Sequence, residues 1–120
     1  NIVGDQIGCP TYAQDIAKTI VLILSCLDLK KSNSGIYHYC GDEPCSWYQF
    51  ACVIFYEAAA HELKTPRNIH SITTSDYPTL AARPAYSVLD CHKIESDFGV
   101  TLSNWRDGIK VVINRLQAQG

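Results

Sequence analysis

Asp5-Gln6-Ile7-Gly8-Cys9-Pro10-Thr11 turns the chain from a strand into a helix. Before it, Asn1 to Gly4 reads as the tail of a strand. Within it, Gly8 lets backbone approach closely and Pro10 stiffens the path. After it, Thr11 with Gln14 has the spacing of a capping box and sets the expected start of the first helix. Ile16, Ile20, Ile23, Leu24 and Leu27 recur at helical spacing over about four turns and predict one apolar face. The polar run Lys30-Lys31-Ser32-Asn33-Ser34-Gly35 ends that helix.

Ile36-Tyr37-His38-Tyr39-Cys40 is aromatic and β-branched between Gly35 and Gly41, which predicts a short strand. Ser46 and Gln49 repeat the Thr11 to Gln14 spacing and predict a second helix, with Trp47, Phe50, Ala51, Ile54 and Ala58 as its buried stripe and Pro66 marking its end. Asn68 to Thr73 reads as another strand, Thr74 to Pro84 as loop, and Ser87-Val88-Leu89 as a short extended piece. Asp90 caps a helix that runs to Phe98 and stops at Gly99. Ser103 or Asn104 opens the last helix, with Trp105, Ile109, Val112, Ile113 and Leu116 as its apolar stripe.

Helices alternating with strands place the chain in the α/β class, with too few strands for a complete doubly wound sheet. With 47% hydrophobic and 18% charged residues, the 120-residue chain is ordinary for a globular domain. No linker divides it, so one domain is expected over residues 1–120. No apolar run approaches a membrane span, and no basic segment followed by an apolar one opens the chain, so a soluble, cytoplasmic protein is expected. The lack of methionine implies a piece trimmed from a longer protein.

A net charge of −2 with scattered basic residues argues against a nucleic-acid partner. Several of the six cysteines lie in apolar segments (Cys26, Cys52) or a strand-like one (Cys40), so buried reduced thiols are expected in place of a disulfide framework. His38, Cys40 and Cys45 prompt a metal check. No second pair in register accompanies them, and His61, His70 and His92 are scattered, so no metal site is expected.

The residues with ligand chemistry lie mainly in the turns. Gln6 can hydrogen-bond a sugar or a base edge, and Gly8, Pro10 and Thr11 open a helix whose free amides favour anions; the same residues also serve an ordinary strand-to-helix turn. Arg83, beside Pro84 at a loop end, carries a planar guanidinium able to grip two phosphate oxygens, or else pairs with a surface carboxylate. Trp47, in the first turn of its helix, either closes the core or presents a flat face to a ring. Tyr12 is a weaker candidate of the same kind. Asp15 and Asp90 suit helix starts, and with Lys93 read as structural. Nothing forms the nucleophile, base and orienter set of a hydrolase.

Three stretches in order, Asp5 to Thr11, Ser46-Trp47-Tyr48-Gln49-Phe50, and Arg83-Pro84-Ala85-Tyr86-Ser87-Val88-Leu89-Asp90-Cys91-His92-Lys93, resemble the C-terminal half of the dTDP-4-dehydrorhamnose reductase family. Asn104-Trp105-Arg106-Asp107-Gly108 matches the closing helix signature of the same family. The resemblance implies the substrate-binding part of an extended short-chain dehydrogenase, Rossmann-like fold with an incomplete sheet. It implies a parent that reduces dTDP-4-dehydro-L-rhamnose to dTDP-L-rhamnose with NADPH or NADH, for cell-surface polysaccharide such as lipopolysaccharide O-antigen.

On that resemblance Arg83, Gln6, Gly8, Pro10, Thr11 and Trp47 line the substrate site. Ala82 stands where members often carry a further basic residue, which leaves Arg83 to hold the diphosphate alone or with Arg67. No Gly-x-x-Gly-x-x-Gly run occurs, and no tyrosine is followed four positions later by a lysine, so cofactor binding and catalysis are assigned to an absent N-terminal half. The piece alone is therefore expected to be inactive, and to self-associate through uncovered helix faces and an open strand edge. A homodimeric parent is a further implication. Some members depend on magnesium, which this half does not decide. A non-catalytic nucleotide-sugar-binding or regulatory subunit of the same fold is the alternative, and a free-standing interaction module a third.

Overall fold

The computed structural model describes residues 1–26 and 34–118. Strand β1 (Ile2–Val3) pairs in parallel with β4 (Ser71–Ile72), Ile2 opposite Ser71 and Val3 opposite Ile72. Strand β2 (Ile7–Gly8) pairs antiparallel with β3 (Cys45–Ser46). These are two separate two-stranded ladders. Helices α1 (Ala13–Cys26), α2 (Trp47–Ala60), α3 (His92–Phe98) and α4 (Trp105–Gln117) supply most of the regular structure, with one short 3-10 turn at Thr74–Asp76.

The core divides into two clusters. In one, Cys40, Cys91, Ile94, Phe98 and Val100 pack with Ile23 of α1 and with Tyr37 and Tyr39. In the other, Cys45, Ala58, Trp105, Ile109 and Ile113 join α2 to α4, with Phe50 and Ile54 half-buried against them. Phe50 meets Trp105 edge to face at 5.6 Å between ring centroids, a geometry that aromatic quadrupoles favour.

Several expected element ends hold. The Ser46 hydroxyl accepts from the Gln49 N–H at 3.1 Å and the Gln49 side chain accepts from the Ser46 N–H at 2.8 Å, so the second capping box closes. Gly99 stops α3 in the left-handed region at φ 61°. Asn104, not Ser103, caps α4 by accepting from the Asp107 N–H at 3.0 Å. Asp90 accepts from the His92 N–H at 3.0 Å, although the cap position itself is Cys91. Helix α2 ends well before Pro66, because Glu62 turns left-handed at φ 58° and the Leu63 N–H reaches back to the Ala58 carbonyl, a Schellman closure.

Other expectations fail. The Thr11 to Gln14 capping box does not form: the Thr11 hydroxyl donates to the Cys9 carbonyl, the Gln14 amide oxygen accepts from Tyr12 Oη, and α1 begins at Ala13. Residues 36–40 make no ladder. Tyr37 and Tyr39 pack inward as a strand's alternate residues do, but Cys40, next in sequence, is buried as well, and without a neighbour in register the backbone makes no ladder. Only the adjoining Gly41 forms an isolated bridge, to Ser103. The expected stripe of α1 is largely bare: Ile20 and Leu24 are more than half exposed, while Thr19 and Ile23 are the residues turned to the core. Leu27 and the Lys30 to Asn33 end of that helix lie outside the described residues. Cys26 is exposed, against expectation, and Cys52 half-buried.

Candidate functional site

Two stitches, one from side chains and one from backbone, hold the loop of residues 74–84 against Asp5, Gln6 and Ile7. At one end the Asp5 carboxylate accepts from the Thr74 N–H at 2.9 Å and from the Thr74 hydroxyl at 2.7 Å, and Gln6 Nε2 donates to Thr74 Oγ1. The Thr74 N–H, and after it the hydroxyl, hold the Asp5 carboxyl below its ordinary value. At the other end the Ile7 N–H donates to the Ala85 carbonyl at 2.8 Å and the Ser87 N–H to the Ile7 carbonyl at 2.9 Å. A loop pinned at both ends gives Arg83 a defined place from which to reach.

Between the stitches lies an open cleft of about 590 Å³, lined by Gln6, Trp47, Tyr77, Thr79 and Arg83 with the β1 residues Ile2 and Val3. Of its lining side chains, among the described residues, Arg83 alone carries a charge, and no described carboxylate pairs with it. Arg67 is exposed and does not line this cleft.

Trp47 is the partition of the site. It is 57% exposed, against its place in the expected buried stripe, and it borders both the Arg83 cleft and a second cavity of about 220 Å³. Gly8, Pro10 and Thr11 line that second cavity with Ser87 and Leu89. The six expected residues thus fall into two groups, Gln6 and Arg83 on one side and Gly8, Pro10 and Thr11 on the other, with Trp47 common to both. The capping box sets where α2 starts, and Phe50 meets the Trp47 ring edge to face at 6.4 Å, so the indole stands on a fixed base.

The rim loop is seated from below. The Tyr12 N–H donates to Ser103 Oγ at 3.0 Å, and Ser103 Oγ donates to Asp15 Oδ2 at 2.9 Å. Ser103 is 1% exposed, so it clamps the start of α1 within the core. Gly41 lies so close to the Pro10 carbonyl oxygen that a Cβ there would strike it. Trp105 Nε1 donates to the Glu43 carbonyl at 2.9 Å, and Arg106 pairs with the Glu43 carboxylate at 2.8 Å.

Tyr12 points elsewhere: it lines an apolar groove of about 270 Å³ between the start of α1 and helices α2 and α4. Asp15 binds Ser103 and Lys18, Asp90 binds His92, and Lys93 lies over the Tyr37 ring and pairs with Asp97, structural roles for all three. Among the described residues no group of three His, Cys, Asp or Glu side chains is placed to hold a metal, and all six cysteines are free. Tyr77, Thr79 and the stapling role of Asp5 escaped sequence reasoning. The dense Ser, Thr and Asp content of residues 73–79 was their one signal.

The family described as RmlD substrate binding domain matches residues 1–118. A dTDP-4-dehydrorhamnose reductase of Aggregatibacter actinomycetemcomitans is 47% identical over 112 residues, covering 91% of this chain and 38% of that protein. Its counterpart in Sinorhizobium fredii is 38% identical over 128 residues, covering all of this chain and 41% of that one. Among solved structures, a dTDP-4-dehydrorhamnose reductase of Clostridium acetobutylicum aligns at a TM-score of 0.77 with 32% identity, over 97% of this chain and 38% of its own. One from Bacillus anthracis, in complex with NADP, aligns at 0.77 with 28% identity, over 95% of this chain and 37% of its own. The chain thus spans about two fifths of the length of these relatives. Matched over 118 of its 120 residues, with an incomplete α/β sheet that aligns with both solved reductases, the chain belongs to the RmlD substrate binding domain family.

Proposed function

We propose that this chain is the substrate-gripping part of an NADPH- or NADH-dependent reductase that converts dTDP-4-dehydro-L-rhamnose to dTDP-L-rhamnose, in the cytoplasm, for cell-surface polysaccharide such as O-antigen. The observation that carries the reading is the convergence of Gln6, Trp47 and Arg83 on one cleft in which Arg83 is uncompensated by any described carboxylate. A diphosphate is a ligand that satisfies a lone guanidinium of this kind. Trp47 offers its exposed face to the base or sugar ring, and Gln6 keeps its amide oxygen for a base or sugar edge. Tyr77 and Thr79 add hydroxyls on the same loop as Arg83.

These residues hold and orient; they do not transfer hydride. No glycine-rich phosphate loop occurs in the sequence, and the dinucleotide is therefore assigned to the portion of the reductase that this chain does not span. When bound there, the nicotinamide supplies the hydride to C4 of the sugar. The contribution of this chain is to fix C4 within reach of it, the positional share of catalysis. Among the described residues no helix is long and apolar enough to cross a membrane. The bare face of α1 drives self-association of the chain on its own, and a monodisperse monomer across a wide concentration series overturns that point.

The test is a titration of dTDP followed by tryptophan fluorescence. Saturable binding is expected, and Arg83→Ala weakens it by about tenfold to a hundredfold, the loss of a charge-assisted contact. Joined to the remaining portion of the Aggregatibacter relative, the chain should restore NADPH-dependent reduction of the dehydro-sugar, with Arg83→Ala raising KM. A folded chain indifferent to every dTDP ligand sinks the proposal.

A further inference from the structure

We propose that Cys40 and Cys91 are a modification site: an oxidisable dithiol that closes to a disulfide next to the seat of the rim loop. Their sulfurs lie 3.6 Å apart although 51 residues separate them in sequence. A disulfide bond is about 2.05 Å long, so the two side chains have about 1.5 Å to close between them, shared by small rotations. One backbone carbonyl, that of Leu89, lies within 3.9 Å of the Cys40 sulfur and 3.8 Å of the Cys91 sulfur and gathers both thiols to one point. Both residues are buried, yet with Cys9 they line a cleft of about 390 Å³ that His92 also borders, wide enough for a peroxide to enter. No described group of metal-ligating side chains accounts for the cluster.

Burial pushes the Cys91 thiol up to about 11 and the Cys9 thiol up to about 12, so thiolate is scarce and attack on an oxidant is slow at neutral pH. With hydrogen peroxide as oxidant, one thiolate attacks a peroxide oxygen. The S–O bond forms as the O–O bond breaks, and hydroxide leaves to take up a proton. The second thiol then attacks the sulfenic sulfur, the S–S bond forms, and water departs. Two thiols lose two electrons and two protons, and one peroxide becomes two waters. The new bond ties the residue before Gly41, on which the Pro10 carbonyl rests, to the segment that runs back through Leu89 to Arg83. The inference stands independently of which ligand fills the Arg83 cleft.

The test uses the full chain carrying Cys26→Ser, which removes the exposed thiol. After treatment with hydrogen peroxide and digestion in acid, mass spectrometry should find a Cys40–Cys91 linked peptide about 2 Da lighter than its reduced parts, and dithiothreitol should reverse it. The oxidised chain should melt roughly 10 °C higher than the reduced one. Cys91→Ser in the same background should fold and yield no such linkage. Linkage of either residue chiefly to Cys9, sulfinate at either without linkage, or no change at these two positions overturns the proposal.

Discussion

The starts of α1 and α2 are spelled alike, a hydroxyl residue three positions before a glutamine, yet only one closes as spelled. At α2 the Ser46 and Gln49 side chains and backbones exchange both hydrogen bonds. At α1 the Thr11 hydroxyl turns back to Cys9, Arg115 joins Tyr12 Oη on the Gln14 amide oxygen, and the Tyr12 N–H is taken by Ser103, 91 residues away. The difference lies in what surrounds each turn. Ser46 sits in β3, paired with β2, where its side chain accepts from the Gln49 N–H and no other described group takes its place. The start of α1 is wedged between Gly41 and Ser103, and a buried hydroxyl with two partners outbids a local one. A capping signature is a local preference of about 1 kcal/mol, which tertiary contacts can override.

The hardest blow to the comparison is Gly41→Ala. Its Cβ meets the Pro10 carbonyl oxygen, which is backbone and cannot swing aside. A loss of about 3 kcal/mol in chemical denaturation is expected, with weakened dTDP binding as the rim lifts. Ser103→Ala should cost about 2 kcal/mol, since it leaves the Tyr12 N–H and the Asp15 carboxylate without their buried partner. Hydrogen exchange should then quicken in the first turn of α1 and not in α2; equal quickening in both breaks the comparison. Ser46→Ala should cost about 1 kcal/mol and fray α2 alone, loosening the base of Trp47.

A smaller effect is expected in acid. The folded value of Asp5 is depressed by its Thr74 hydrogen bonds, so its contribution is complete above the unfolded value near ~3.9 and disappears as pH falls through the folded value. Stability should decline below about pH 4, and Asp5→Asn should flatten that part of the profile. The smallest change tests the failed box directly: Gln14→Ala should alter stability by no more than about 0.5 kcal/mol, because its contacts are exposed. A loss equal to that of Ser46→Ala would mean that the α1 box does form in solution.

The existence of four helices, the Ser46 box, the Gly99 stop and the loop character of residues 74–84 were all legible, because each rests on side chains within a few positions of one another. The ladders were harder. β2 and β3 are two-residue strands whose pairs, Ile7 with Ser46 and Gly8 with Cys45, lie far apart in sequence, which no period of two can announce. Conversely, Ile36 to Cys40 has strand composition but lacks a described neighbour to pair with.

The identity of the candidate site divides in the same way. The sequence by itself determined which residues have ligand chemistry, Arg83 with its guanidinium and Trp47 with its indole, and which family they belong to, since both follow from residue type and order. Only the tertiary structure decided that Arg83 pairs with no described carboxylate, that Trp47 stands open between two cavities, and that Ser103 supports the rim from the far end of the chain. Those outcomes depend on which distant groups compete for each side chain, and such competition exists only once the chain is folded.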